Sequence, residues 1–187
     1  LLGINANVEW RDGVEIGTVD SSRKDTIWHP VYGERSEIKD CYHAWKIVVN
    51  RQNGRDKLIL DIRAYDEGIA FRYHFPGGQY LKITDEYTEY TMPEGTKAYF
   101  TPKAQTPYSY LPLENWSGES DRPLLLTLAD GGYVCLAEAQ VVDYVRTKFN
   151  VSSTKKNTII SAMYGPVEDI APYSTPWRVI MCADKPG

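Results

Sequence analysis

The stretch YVCLAEAQVVDY, residues 133–144, places a glutamate, Glu138, in the middle of an apolar run. A carboxylate there is costly to bury unless a charge, a hydrogen-bond donor or a metal ion answers it. Strand alternation sets Glu138 on one face with Leu136, Gln140 and Val142, while Cys135, Ala137 and Ala139 point the other way. Three readings are open: a strand end facing solvent, a buried pair with an arginine such as Arg178, or an oxygen ligand to a hard cation such as Ca²⁺. A Ca²⁺ site needs several oxygens, and no DxDxDG-like cluster supplies them locally, so partners would come from elsewhere.

The other chemistry-bearing groups are scattered. Asp66 and Glu67 are adjacent acids between two strand-like runs and just before Gly68, the pattern of a solvated turn. Hydrolysis of a glycosidic bond needs two carboxylates about 5 Å apart, or roughly 6.5–9.5 Å apart with water between them, and the spacing marks no such pair. His29, His43 and His74 lack HxH or i, i+4 spacing and read as packing or surface residues rather than zinc ligands. There is no GxSxG, P-loop or GxGxxG. In STPWRVIMCAD, Trp177 and Arg178 point to opposite faces of a strand; the indole would stack on a sugar ring, close the core or meet another domain. Cys41, Cys135 and Cys182 share no CxxC spacing, so no disulfide framework is expected; Cys135 and Cys182, in apolar runs, read as buried thiols.

The elements that must position these groups are strands. Period-2 alternation predicts strands at Lys46–Asn50, Lys57–Tyr65 and Ile69–Phe75, with turns at Asn53-Gly54 and Asp66-Glu67-Gly68. Phe71, Tyr73 and Phe75 share one face of the third strand, and Arg72 and His74 the other. QYLKITDEYTEYTM and TKAYFTP continue the pattern, and a Pro-rich, loop-like span follows from Thr101 to Pro123. LLLTLADGGYVCLAEAQVV reads as a hairpin turned at Asp130-Gly131-Gly132, and NTIISAMYG and PWRVIMCA are the last strands. No segment carries a 3.6-residue period, so an antiparallel β-sandwich is the expected all-β architecture, one domain over residues 1–187.

Composition bounds the rest. A formal charge of −4 with dispersed Lys and Arg gives no footprint for nucleic acid. No apolar run approaches the roughly 20 residues of a membrane helix. Fourteen Tyr and five Trp against four Phe suit sheet faces and sugar faces alike. The ends, LLGINANVEW and MCADKPG, read as those of a piece cut from a longer protein, with any targeting segment upstream.

TIWHPVYGERSEIKDCYHAWKI, LILDIRAYDEGIAFRYHFP, VCLAEAQVVDY and STPWRVI together resemble the N-terminal domain of glycoside hydrolase family 97, whose α-glucosidases and α-galactosidases occur mainly in gut Bacteroidetes. RAYDEGIAFRY is the most specific string, and the resemblance covers nearly the whole chain. It implies a large sandwich of the galactose-mutarotase-like type, packed on a catalytic (β/α)₈ barrel that holds the acid and base, and a periplasmic or secreted protein. It implies that Glu138 is lent to a Ca²⁺ near the catalytic carboxylates, through a Glu-Ala…Tyr motif that falls here on Glu138, Ala139 and Tyr144. The loop after Tyr144 departs from the family, reading DYVRTKF in place of a Pro-Gly-containing segment. By itself the chain would be inactive, with Glu138 free of metal and partly exposed on the face that meets the barrel; oligosaccharide would be the intact enzyme's substrate. Two other readings stay open: a free-standing carbohydrate-binding sandwich, and a mutarotase-like enzyme with a His/Glu pair in its groove.

Overall fold

The computed structural model describes residues 1–186 apart from 53 and 55. Along the chain come β1 (Ile4–Ala6), β2 (Val8–Glu9), β3 (Val14–Trp28), β4 (Ile38–Arg51), β5 (Lys57–Tyr65) and β6 (Gly68–Phe75). Next are β7 (Tyr80–Glu86), β8 (Glu89–Thr91), β9 (Lys97–Phe100), β10 (Ser109–Pro112), a 3-10 turn at Leu113–Asn115, β11 (Glu119–Ser120) and β12 (Leu124–Thr127). The last third holds β13 (Tyr133–Ala139), β14 (Thr147–Val151), β15 (Thr158–Met163), β16 (Val167–Ile170), β17 (Tyr173–Ser174) and β18 (Trp177–Ala183).

These strands form one large sheet and two small ones, every pairing antiparallel. The ten-stranded sheet runs β10-β9-β12-β13-β18-β6-β5-β4-β3, with β17 added on β6. Two four-stranded sheets, β16-β7-β1-β2 and β11-β14-β15-β8, share its inner face. Under the first lies a core of Ile4, Leu58, Phe71, Tyr73, Phe75, Leu81 and Ile83. Under the second lies a core of Ala98, Trp116, Leu124, Leu126, Leu136, Phe149 and Ile159. Ile180 of β18 packs against both, which marks the seam between them. Alternation explains the division: residues of one parity on each central strand face these cores, and their neighbours face outward.

The expected sandwich is the observed fold, with differences in detail. β5 has the predicted bounds, and Asp66-Glu67 form an exposed turn. The turn read at Asn53-Gly54 includes Asn53, which lies outside the described residues. The strand read at Lys46–Asn50 is the middle of the much longer β4, which pairs with β3. β3 carries no alternation because it is exposed along most of its length as an edge. Charged Asp20, Arg23, Lys24 and Asp25, and an irregular register between Ile16 and Val19, protect that edge from further pairing. The Pro-rich span is more ordered than a loop, since β10 and β11 lie within it. Cys182 is exposed and Cys135 half-buried, not the buried thiols expected: Cys135 alternates with buried Val134 and Leu136 on β13, and Cys182 lies in the exposed end of β18.

Gly68 shows how tightly the large sheet is built. Its φ is +151°, and an added Cβ would sit 2.0 Å from the carbonyl oxygen of Ile180 on β18. Both the backbone and the space exclude a side chain there. Gly68→Ala is expected to destabilise the protein by about 3 kcal/mol or more, read as a lowered urea midpoint with an unchanged m value.

Candidate functional site

Glu138 lies near the end of β13, on the inner face, beside Leu136 as alternation requires. Its cross-strand partner on β18 is Arg178. On the other side Leu124 pairs with Leu136, and Arg122, two residues before the start of β12, reaches Glu138. The glutamate is therefore flanked by two arginines, Arg178 in the sheet and Arg122 just before β12. Next to this row comes an apolar one, Leu124, Leu136 and Ile180.

The row meets both small sheets at the seam. Glu86, the last residue of β7, receives Arg178 Nε at 2.8 Å on Oε1 and 3.2 Å on Oε2, and Arg178 Nη2 also donates to its Oε2. Thr88 Oγ1 donates to Glu86 Oε1 at 2.6 Å. Arg178 then reaches Glu138, Nη1 to Oε1, at 2.6 Å. Thr147, the first residue of β14, donates its hydroxyl to Glu138 Oε1 at 2.7 Å and accepts from Arg122 Nη1 at 2.6 Å. Glu138 Oε2 pairs with Nη1 of Arg122. Tyr144 belongs to the same cluster: its ring lies 5.2 Å from the Arg178 guanidinium carbon, and its hydroxyl is 3.5 Å from Glu86 Oε2.

Two carboxylates and two guanidiniums thus form one buried chain, Glu86–Arg178–Glu138–Arg122, and their formal charges cancel. Burial raises the Glu86 pKa, but the charge and hydrogen bonds of Arg178, with those of Thr88 and Tyr144, more than reverse this and hold it below the ordinary value. Burial likewise disfavours the Arg178 cation, and Glu86 outweighs it, keeping the pKa raised. Arg122 is the least settled of the four: burial and then the charge of Arg178 push its pKa down to about 10.

The expected exposure of Glu138 is corrected by this geometry: its side chain is 4 % exposed. The arginines draw the carboxylate inward, and only the residues after it, Ala139 to Asp143, are exposed. Gln140 and Val142 do not share its face, because β13 ends at Ala139. The buried pairing with Arg178, one of the three readings of the sequence, is present. Among the described residues no group of three or more His, Cys, Asp or Glu could hold a metal ion, so Glu138 is a single carboxylate donor here.

The remaining sequence candidates lie apart from this chain. His29 bonds the Ser36 carbonyl, His43 stacks on Trp45, and His74 bonds Ser174. Trp177 is in neither core; its ring lies on the outer face under Arg63 and Arg72, at 4.4 and 4.5 Å, and is 7 % exposed. The guanidiniums occupy the faces a sugar would need. Sequence reasoning missed Glu86, Arg122 and Thr147. The register of the β12–β13 hairpin signals Arg122, whereas Glu86 and Thr147 come from other sheets.

The chain matches the family described as glycosyl-hydrolase 97 N-terminal over residues 1–187. It belongs to that family. Among solved structures, a glycoside hydrolase family 97 enzyme from Pseudoalteromonas sp. strain K8, in complex with acarbose, is 23% identical with a TM-score of 0.89. That match covers 98% of this chain and 30% of the enzyme. A β-arabinopyranosidase is 20% identical with a TM-score of 0.88, over 98% of this chain and 34% of that one. A family 36 α-galactosidase from Geobacillus stearothermophilus is more distant, 12% identical at 0.58 over 98% of this chain and 30% of its own. At these identities the likeness is one of fold, and this family 97 domain spans about a third of the length of such relatives.

The ionic chain should be visible in acid unfolding. Because the Glu86 pKa is lowered on folding, its contribution is complete above the ordinary value of 4.5 and is lost as pH falls through the lower, folded value. Glu86→Gln should cost about 3–5 kcal/mol at neutral pH, since it breaks a buried pair. It should also flatten the decline of the melting temperature below pH 4.5. Parallel acid limbs for the two proteins would contradict the assignment.

Proposed function

We propose that this domain is the accessory sandwich of a calcium-dependent α-glycoside hydrolase, packed on a catalytic barrel of the same polypeptide and lending Glu138 to the calcium. The observation that carries the reading is the match to the glycosyl-hydrolase 97 N-terminal family over the whole chain, with Glu138 held by Arg178 and Thr147 near the end of β13 and next to an exposed segment. A carboxylate is the kind of oxygen donor a hard cation such as Ca²⁺ takes. Ca²⁺ takes about 6–8 oxygens, so most of its donors would come from the barrel. Family membership and the relatives' names, an enzyme bound to acarbose and an arabinopyranosidase among them, support a glycoside substrate for the whole enzyme.

Within this reading each residue of the chain has a task. Arg178, fixed by Glu86, holds Oε1 of Glu138 and sets the direction of Oε2, while Thr147 fixes the same oxygen from β14. The segment after Glu138 would meet the barrel, with Val141 and Val142 exposed at 49% and 61% as apolar contacts. Calcium, when bound, would offset negative charge near the scissile bond. The proton transfers would belong to barrel carboxylates, and the isolated domain would not hydrolyse glycosides.

Glu138→Gln in the intact enzyme should weaken Ca²⁺ binding by about tenfold or more, measured by calorimetry, and lower hydrolysis of an α-glycoside in parallel. Activity that withstands both the substitution and chelation would remove the basis of the proposal.

A further inference from the structure

The hairpin of β3 and β4 runs beyond the rest of its sheet. The ladder between β4 and β5 stops at His43 and Ala64, whereas that between β3 and β4 continues for five more pairs, from Lys24–Tyr42 to Trp28–Ile38. At about 3.4 Å per residue, the ribbon reaches roughly 17 Å past its neighbour. It ends in a tip closed by the His29 ring on the Ser36 carbonyl at 3.1 Å. Among the described residues no third strand pairs with this part of the hairpin.

A two-stranded ribbon is marginally stable in water unless something packs on it. The cross-strand side-chain contacts of the arm are polar and exposed, Lys24 with Asp40 and Cys41 with Asp25, and contacts of that kind add little. Its outer part is nevertheless apolar. Ile27 and Trp28 at the end of β3 are exposed, and Val31 and Tyr32 in the tip are 99% and 90% exposed. Four large apolar side chains on one projecting arm are a contact surface that touches nothing in this domain.

The base of the arm opens onto a groove. Lys39 and Cys41 of β4 line a cavity of about 250 Å³ together with Glu67, Ile69, Ile180 and Met181. Ile69 is exposed there, although Phe71, Tyr73 and Phe75 on the same face of β6 are buried. The small sheets stop short of this corner, which lies beside β18, the last strand. Two facts select what covers it. The free edge of β3 carries Asp20, Arg23, Lys24 and Asp25, which oppose pairing with a second copy. The family is an N-terminal one and its enzymes extend to about three times the length matched here, so the rest of such a polypeptide would follow the strand that borders the groove.

We infer that the β3–β4 arm is a clasp for the catalytic barrel of the same polypeptide: Ile27, Trp28, Val31 and Tyr32 lie against the barrel, and the groove beside Ile69 is covered by the same domain. This rests on the reading that such a barrel belongs to the polypeptide. The clasp is a second contact, apart from the segment after Glu138, and it needs neither metal nor ion pair.

The test is run on the intact enzyme. Val31→Cys is labelled with a thiol reagent in the native and the urea-unfolded protein, and the site is read by peptide mass. Docking should slow the native reaction about tenfold or more, since only undocked molecules react. Val31→Asp combined with Tyr32→Asp changes side chains with almost no contact inside the domain, yet should lower the melting temperature by about 2 °C or more. Equal labelling of native and unfolded protein, with an unchanged melting temperature in the double variant, overturns the clasp. Protection that rises with protein concentration assigns the arm to a second copy and overturns the barrel as its partner. Ca²⁺ titration of Glu138→Gln separates the two readings. Weakened Ca²⁺ binding with an unprotected arm sinks the clasp alone, and wild-type Ca²⁺ binding with a protected arm sinks the calcium role alone.

Discussion

The guanidinium of Arg178 sits where the three sheets of the sandwich meet, with 1 % of the residue exposed and a buried carboxylate on either side. Glu86 reaches it from one small sheet, and Glu138 lies beside it in the large one. Thr147 closes the group from the second small sheet. A chain of buried charges adds little net stability over an apolar filling, but breaking it leaves a charge stranded. Its effect is to fix register. A slip of β18 by one residue would turn Arg178 to the outer face, strip Glu86 of its arginine and leave Glu138 with Arg122 alone.

The apolar cores depend on the same register. Ile180 can pack on both cores only while β18 keeps its place, and Leu136 faces inward only while Glu138 does. The seam between two half-sandwiches thus receives the charged residues, where neither core has to surround them alone. This arrangement also delivers a carboxylate, rigidly held, near the end of β13 and next to an exposed segment. Rigid delivery of one oxygen from the scaffold is what a shared metal site requires of a second domain. On the outer face, Arg63 and Arg72 cover Trp177 and complete a layer of guanidinium and aromatic contacts.

Much of this was legible in the sequence because sandwich strands bury one face and expose the other. Phe71, Tyr73 and Phe75 announced their face, and so did the opposition of Trp177 and Arg178. β3 was invisible for the converse reason: an exposed edge strand has no alternation to read. Glu138 stood out as a carboxylate in an apolar run, and Arg178 was nameable as a partner. Its environment was not, since Glu86 lies 52 residues before it and Thr147 in another sheet; only folding brings them together. Arg122 was within reach, because a hairpin turned near Asp130 pairs positions equally spaced from the turn. Its inclusion in a Pro-rich, loop-like span hid it.

The central claim is that Glu138, held by Arg178, is this domain's contribution to a metal site shared with the barrel. A crystal structure of the intact enzyme grown with a calcium substitute that scatters anomalously tests it most directly. The account predicts an anomalous peak about 2.3–2.6 Å from a carboxylate oxygen of Glu138, with Arg178 still on Glu86. A metal peak bound wholly by other residues would contradict it.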